Sequence, residues 1–152
     1  MKNIEKRKVG FLEELVEQAK AKTGASLQEV KMLRKKANAN VCTLGKTGVS
    51  ANVNEFVVET LNGIIHELRL QSGDKVAVLI MGMGKKPTYG DIVIHREVSK
   101  ILKSKNIQIV FIDTAVKIMS NRPSGMAISL MKLDSELEQL IKVPYGTSTF
   151  RT

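Results

Sequence analysis

The sequence predicts an α/β domain, and three observations carry that prediction. Residues 76–81 (Val-Ala-Val-Leu-Ile-Met) and 107–112 (Ile-Gln-Ile-Val-Phe-Ile) are nearly continuous apolar runs. Such runs are strands buried on both faces of a largely parallel sheet. Between them Ile94, Val98, Ile101 and Leu102 recur at helical spacing and mark a helix ending near Asn106. The order is therefore a βαβ unit, whose crossover is expected to be right-handed. A third run, residues 126–133, gives a third strand, and Asp134 caps a last helix from Ser135 to Lys142.

Upstream elements follow the same logic. Leu12, Leu15, Val16 and Ala19 define a helix over about residues 9–22, ended by Gly24. Ser26 and Glu29 stand at capping-box spacing, and Val30, Leu33, Ala37 and Val41 form one face of a second helix. The pair is a helical hairpin whose outer faces carry Lys31, Arg34, Lys35 and Lys36. Residues 45–53 are turn-rich and read as a linker. Asn54 caps a third helix with Val57, Leu61, Ile64, Ile65 and Leu68 on one side, and Ser72-Gly73-Asp74 is a turn. The expected organisation is a basic hairpin over 1–45, a linker over 46–53 and the α/β domain over 54–152.

Composition bounds the function. At 152 residues the chain can bury a sizeable core as one domain, or one domain with an appendage. One cysteine, Cys42, excludes an internal disulfide framework and a zinc site built on cysteine pairs. No apolar stretch approaches about 18 residues, so no spanning helix is expected. Glu13 and Glu14 interrupt any signal-like apolar region, and a cytoplasmic protein is expected. The net charge of +9 is uneven: +6 falls in residues 1–46 and +3 in the rest. Such a balance favours nucleic acid, acidic protein surfaces or anionic metabolites. With aromatics at 4% and no tryptophan, stacking platforms for single strands are not expected.

No catalytic constellation assembles from the residues. Gly45-Lys46-Thr47 ends like a P-loop, but Asn40 stands where the motif needs its first glycine. Gly82 and Gly84 form a strand-to-helix turn that, with Lys85 and Lys86, could face an anion. Pro87 replaces the third glycine of a dinucleotide pattern. His66 and His95 lack metal-ligand spacing and read as surface or boundary histidines. Cys42, at the carboxyl end of the second helix, reads as a structural thiol despite Lys35, Lys36 and Lys46 nearby. Asp113 follows the second strand at its carboxyl end, where open α/β sheets place their sites. Met81, Met83, Met119, Met126 and Met131 read as core filling.

The series Ser72-Gly-Asp-Lys-Val-Ala-Val-Leu-Ile-Met-Gly-Met-Gly84 resembles the substrate-binding (K) subunit of dihydroxyacetone, or glycerone, kinase. The likeness continues through Glu97-Val, Ile101-Leu and Lys105-Asn-Ile. It resumes at Gly125, Ile128-Ser-Leu-Met-Lys-Leu-Asp134, Glu136-Leu, Leu140, Pro144 and Phe150. Gly24-Ala-Ser-Leu-Gln-Glu-Val30 and Lys36-Ala-Asn-Ala-Asn-Val41 are similar to the family's helix pair. The resemblance covers two blocks, about 7–45 and 54–150. It implies the family's α/β scaffold, with the hairpin as a remnant of its first domain.

It also implies what is missing. The family grips dihydroxyacetone through a histidine in a Gly-Ile-His-Gly-Glu-Pro-Gly segment, which belongs between the two blocks. Here only residues 46–53 join them. The family's glycine-rich first half would precede residue 1. Met81 stands where the family has the asparagine of its Asn-Gly-Leu-Gly turn. The expected function is therefore a shortened, non-catalytic binding or regulatory module, with no catalytic residue, cofactor or metal assigned. The alternative is a component of glycerone kinase in glycerol metabolism, completed by other chains; activity is left open. The partners implied are a second copy and the nucleotide-binding (L) subunit, met at Gly82, Gly84, Lys85, Lys86, Asp113 and Arg122. Nucleic-acid binding through the basic hairpin rests on charge alone and is not expected, and neither is a membrane partner.

Overall fold

The computed structural model of the protein describes residues 5–6, 10–47, 53–81, 89–115 and 125–143. Its elements in chain order are β1 (Glu5–Lys6), α1 (Phe11–Lys22), α2 (Leu27–Ala39), β2 (Val41–Thr47), α3 (Val53–Leu68), β3 (Lys75–Met81), α4 (Tyr89–Ser104), β4 (Gln108–Ala115), β5 (Gly125–Lys132) and α5 (Ser135–Ile141). The strands form one mixed sheet in the order β1-β2-β5-β3-β4. β3 and β4 are parallel, as a βαβ unit requires, and β5 lies antiparallel to both β2 and β3.

Strand alternation divides the core into two layers. Val76, Val78 and Ile80 of β3, with Met126, Ile128 and Leu130 of β5, face α3 and α4. Ala77, Leu79 and Met81, with Ala127 and Met131, face α1, α2 and α5. Both faces of these strands are apolar because both are covered, which is why the sequence shows unbroken runs. A register shift between Val76 and Ala77 changes the alternation of β4: Ile109 and Ile112 join one layer, Val110 and Phe111 the other.

The helix ends have local causes. The Ser26 hydroxyl accepts from the Glu29 amide at 3.1 Å while the Glu29 carboxylate accepts from the Ser26 amide at 2.8 Å, so the capping box is complete. Gly24, just past α1, has φ +85°, a conformation that favours glycine. Asp134 caps α5 by accepting from the Leu137 amide at 2.8 Å. α3 and α4 end alike: Arg69 and Asn106 are left-handed, and the Leu70 and Ile107 amides reach back to the carbonyls of Ile65 and Leu102.

Several expectations are corrected. Val41 opens strand β2 rather than closing the helix face of α2, which ends at Ala39 with Asn40 as its cap. Residues 45–47, read as linker, continue that strand, where Thr47 pairs with Gly125. Cys42 is consequently no helix-end thiol; it is buried in β2 against the α3–α4 layer. Asn54 lies inside α3, which already includes Val53. The helix expected from residue 9 begins at Phe11, after Gly10 as its cap. β1 was without a sequence signal. Met81, Met126 and Met131 are core residues as expected, whereas Met83 and Met119 lie outside the described residues.

One buried polar pair crosses the sheet. The Thr43 hydroxyl of β2 donates to the Ser129 hydroxyl of β5 at 2.7 Å, with both residues under 9% exposed. Thr43→Val leaves Ser129 without this partner and should cost about 1–3 kcal/mol in urea unfolding. The double change Thr43→Val with Ser129→Ala should recover most of that loss, since removing both partners is nearly neutral. Additive losses would show that the pair does not act as a unit.

Candidate functional site

Topology brings three connections to one end of the sheet. β3 and β4 both end there, at Met81 and Ala115, which pair with one another. β5 runs the other way, so its first residue, Gly125, stands at the same end beside Thr47, the last of β2. This is the carboxyl end of the parallel pair, where open sheets place ligand sites. Of the residues expected to form a site, Gly82, Gly84, Lys85, Lys86 and Arg122 lie outside the described residues. Asp113 is described: it sits two residues before the end of β4, half-buried, and its carboxylate accepts from the Thr114 amide at 2.8 Å. It therefore marks the rim of this sheet end, with part of its hydrogen-bonding capacity used on the backbone.

Both histidines stand on the opposite kind of surface. His66 on α3 and His95 on α4 are exposed side chains of helices that cover the sheet. Asp74 caps the turn before β3 by accepting from the Gln71 amide at 2.7 Å. No cluster of histidine, cysteine or carboxylate suited to a metal ion occurs among the described residues.

The charged groove described in the structure is elsewhere, on the α1–α2–α5 side. It encloses about 460 Å³ and is lined by Lys20, Glu29, Met32, Leu33, Lys36 and Glu136. Lys20 donates to Glu136 at 2.7 Å, and Lys36 donates to Glu136 at 2.6 Å and pairs with Asp134 at 2.8 Å. Hydrogen bonds from Lys20 and Lys36 hold the Glu136 carboxyl below its ordinary value. Partial burial alone would lower the Lys36 ammonium, but the bonds and charges of Asp134 and Glu136 outweigh it and raise its pKa. An added anion would have to displace Glu136, so this groove is poorly suited to phosphate. The basic face expected on the hairpin is thus partly neutralised: Lys36 is committed to α5, and Arg34 pairs with Glu17 at 3.5 Å.

These pairs have a definite pH signature. Glu136 titrates below 4.5 in the fold, so its contribution is present above 4.5 and is lost as the pH falls through the lower folded value. Glu13 works in the opposite sense, because burial raises its pKa. Urea midpoints measured from pH 6 to pH 3 should fall less steeply for Glu136→Gln than for the native chain. Solvent screening limits that difference to about 0.2–1 kcal/mol. Parallel curves would show that the cluster does not couple to folding.

Comparison with known proteins places the geometry. The family model described as the Dak1 domain matches residues 46–149. The chain is 35% identical over 96 residues to the dihydroxyacetone-binding subunit DhaK of PTS-dependent dihydroxyacetone kinase 2 of Listeria innocua, covering 62% of this chain and 29% of that one. It is 27% identical to the corresponding subunit of kinase 1 of the same organism over 165 aligned positions, covering 85% and 50%. Among solved structures, one described as regulation of the dha operon of Lactococcus lactis has a TM-score of 0.79 at 18% identity, covering 91% and 50%. The dihydroxyacetone kinase operon co-activator Dha-DhaQ has a TM-score of 0.73 at 17% identity, covering 88% and 52%. The dihydroxyacetone kinase of C. freundii has 0.74 at 16% identity, covering 95% and 33%. The chain therefore spans half the length, or less, of the curated relatives named here.

Proposed function

Because the chain belongs to the Dak1 domain family, and carries a DhaK-like module on half or less of a DhaK subunit's length, we propose that it is a non-catalytic binding or regulatory member of that family. The observation that carries the reading is the place of the two histidines. A covalent grip on a small ketone needs a nucleophile positioned in a site, shielded from solvent and oriented by neighbours. His66 and His95 are both exposed on the outer faces of helices. The alignment to one DhaK subunit runs over 165 positions, more than this chain's 152 residues, so that relative carries extra residues within the matched span. This agrees with a shortened connection between β2 and α3.

The regulatory side of the proposal draws on the fold neighbours. Two of them are described by operon regulation or co-activation, and the kinase itself shares the same scaffold. Fold alone does not choose between such roles. In our reading the nucleotide-binding L subunit, or a regulator that reads K-type proteins, docks at the sheet end where Asp113 sits; Gly82, Gly84, Lys85, Lys86 and Arg122, which lie outside the described residues, are assigned to the same surface from the sequence alone. The hairpin of α1 and α2 is then the remainder of the family's first domain. No described helix is long and apolar enough to cross a membrane, and a cytoplasmic setting follows from the proposed partners.

The competing reading is a working kinase component completed by another chain. Native mass spectrometry of the full chain with dihydroxyacetone separates the two. The expected result is no triose adduct, alone or with a purified L subunit, together with co-elution of the L subunit on a sizing column. A one-triose adduct that disappears in His66→Ala or His95→Ala would overturn the non-catalytic reading.

A further inference from the structure

The cations of the hairpin divide into two sets. Lys20 and Lys36 are committed to Glu136 and Asp134, and Arg34 pairs with Glu17. Lys31 and Lys35, one turn apart on α2, are exposed and take no ion pair among the described residues. Beside them stands Met32, a large apolar side chain left 63% exposed. Among the described large hydrophobic residues only Leu27, at the start of the same helix, is more exposed, at 73%.

Met32 also borders the groove between the hairpin and α5. Glu29, Met32, Leu33 and Lys36 line it at i, i+3, i+4 and i+7, so it follows one side of α2 for about 10 Å. Leu33 is buried and supplies an apolar base. Lys20 and Lys36 offer their methylene stems to the same space while Glu136 holds both ammonium groups. The Glu29 carboxylate is answered too, by the Ser26 amide. Charges inside the groove are therefore satisfied from within, and what it lacks is apolar cover.

We propose that this side of α2 docks an acidic amphipathic helix of a partner protein. One apolar side chain of the partner enters the groove over Met32 and Leu33, and a row of its carboxylates lies against Lys35 and Lys31. A helix fits because the lining repeats with helical period, and helices set i, i+3 and i+4 anchors into such grooves. Acidic residues fit because the two charges of α2 left unanswered among the described residues are both positive. A flat anionic bilayer fits less well. Leu27 and Met32 stand five residues apart, about 140° around the helix with Lys31 and Lys35 between, so one plane cannot take both side chains. A nucleic acid would use the lysines and leave Met32 in water. The groove lies beside α5, which starts from the end of the sheet opposite to Asp113. Either docking surface can therefore fail without the other.

Nuclear magnetic resonance titration of the full chain with two synthetic helices tests it. Both helices carry leucine at i, i+3, i+4 and i+7; one flanks that stripe with glutamate and the other with lysine. The glutamate helix is expected to shift the Met32 methyl and the Leu33 and Lys35 amides, more weakly as salt is raised. Lys31→Glu with Lys35→Glu should lose the glutamate helix and take the lysine helix instead. Met32→Ala should weaken the glutamate helix by about tenfold, the worth of covering one large apolar side chain. All three side chains are exposed, so the variants should keep the native thermal midpoint. No shift at Met32, equal binding of the two helices by the native chain, or undiminished binding by Met32→Ala would overturn the proposal. So would duplex DNA or phosphatidylglycerol vesicles that bind at Lys31 and Lys35 more tightly than the glutamate helix does.

Discussion

A chain that begins at Val41 is expected to lose cooperative folding. It keeps β2 to β5 and α3 to α5. It loses Leu12, Leu15, Val16 and Ala19 of α1 with Leu33 and Ala37 of α2, all of them buried against the sheet and α5. What they cover is Ala77, Leu79, Met81, Ala127 and Met131, one whole apolar face. Each large side chain so buried contributes about 1.5–3 kcal/mol. Four such residues together match the roughly 5–15 kcal/mol that holds an ordinary domain folded. The truncated chain should therefore aggregate or melt without a sigmoidal transition in circular dichroism. A sharp melt close to that of the full chain would show that the hairpin is an appendage.

Ile128→Ala should produce the largest loss from a single residue. Ile128 is fully buried in β5, opposite Leu44 on β2 and Ile80 on β3, and it faces the α3–α4 layer. With strands on both sides, its neighbours have little freedom to collapse into the space. Truncation of a buried isoleucine costs about 2–5 kcal/mol, transfer and cavity together. For a chain of this size that corresponds to a fall of roughly 10 °C in Tm. A loss under about 1 kcal/mol, no more than deleting a single core methylene costs, would mean that the layer is loosely packed.

How much of this was legible in the sequence depends on whether the cause was local. The Ser26–Glu29 box and the Asp134 cap are made within four residues of chain, and both were readable. The runs that became β3 and β5 were readable because burial on both faces leaves no polar alternation. β2 was not. Val41-Cys-Thr-Leu-Gly-Lys-Thr47 contains a glycine and a lysine, follows α2 with one intervening residue, and owes its extension to pairing with β5 about eighty residues later. The same distance hid the neutralised hairpin, since Lys20 and Lys36 find Glu136 across 116 and 100 residues. Of the residues named for a site, Asp113 could be placed near a sheet end because it directly follows a readable apolar run, although β4 continues two residues beyond it.

α3 also lies close over β2 for a reason visible in one residue. A Cβ on Gly63 would stand 2.8 Å from Leu44 Cδ1, so the missing side chain sets the approach of helix to strand. That contact lies beyond the connection from Thr47 to Val53, not in it. A segment between these two anchors can lengthen or shorten while the register of β2 on β5 and the seat of α3 stay as they are. The thermodynamic penalty of such a change is the closure entropy of a flexible loop, about 0.6 kcal/mol for each doubling of length. The scaffold is thus nearly indifferent to what is spliced in or out at that point. A lineage could discard a ligand-gripping insert there with little effect on whether the remainder folds.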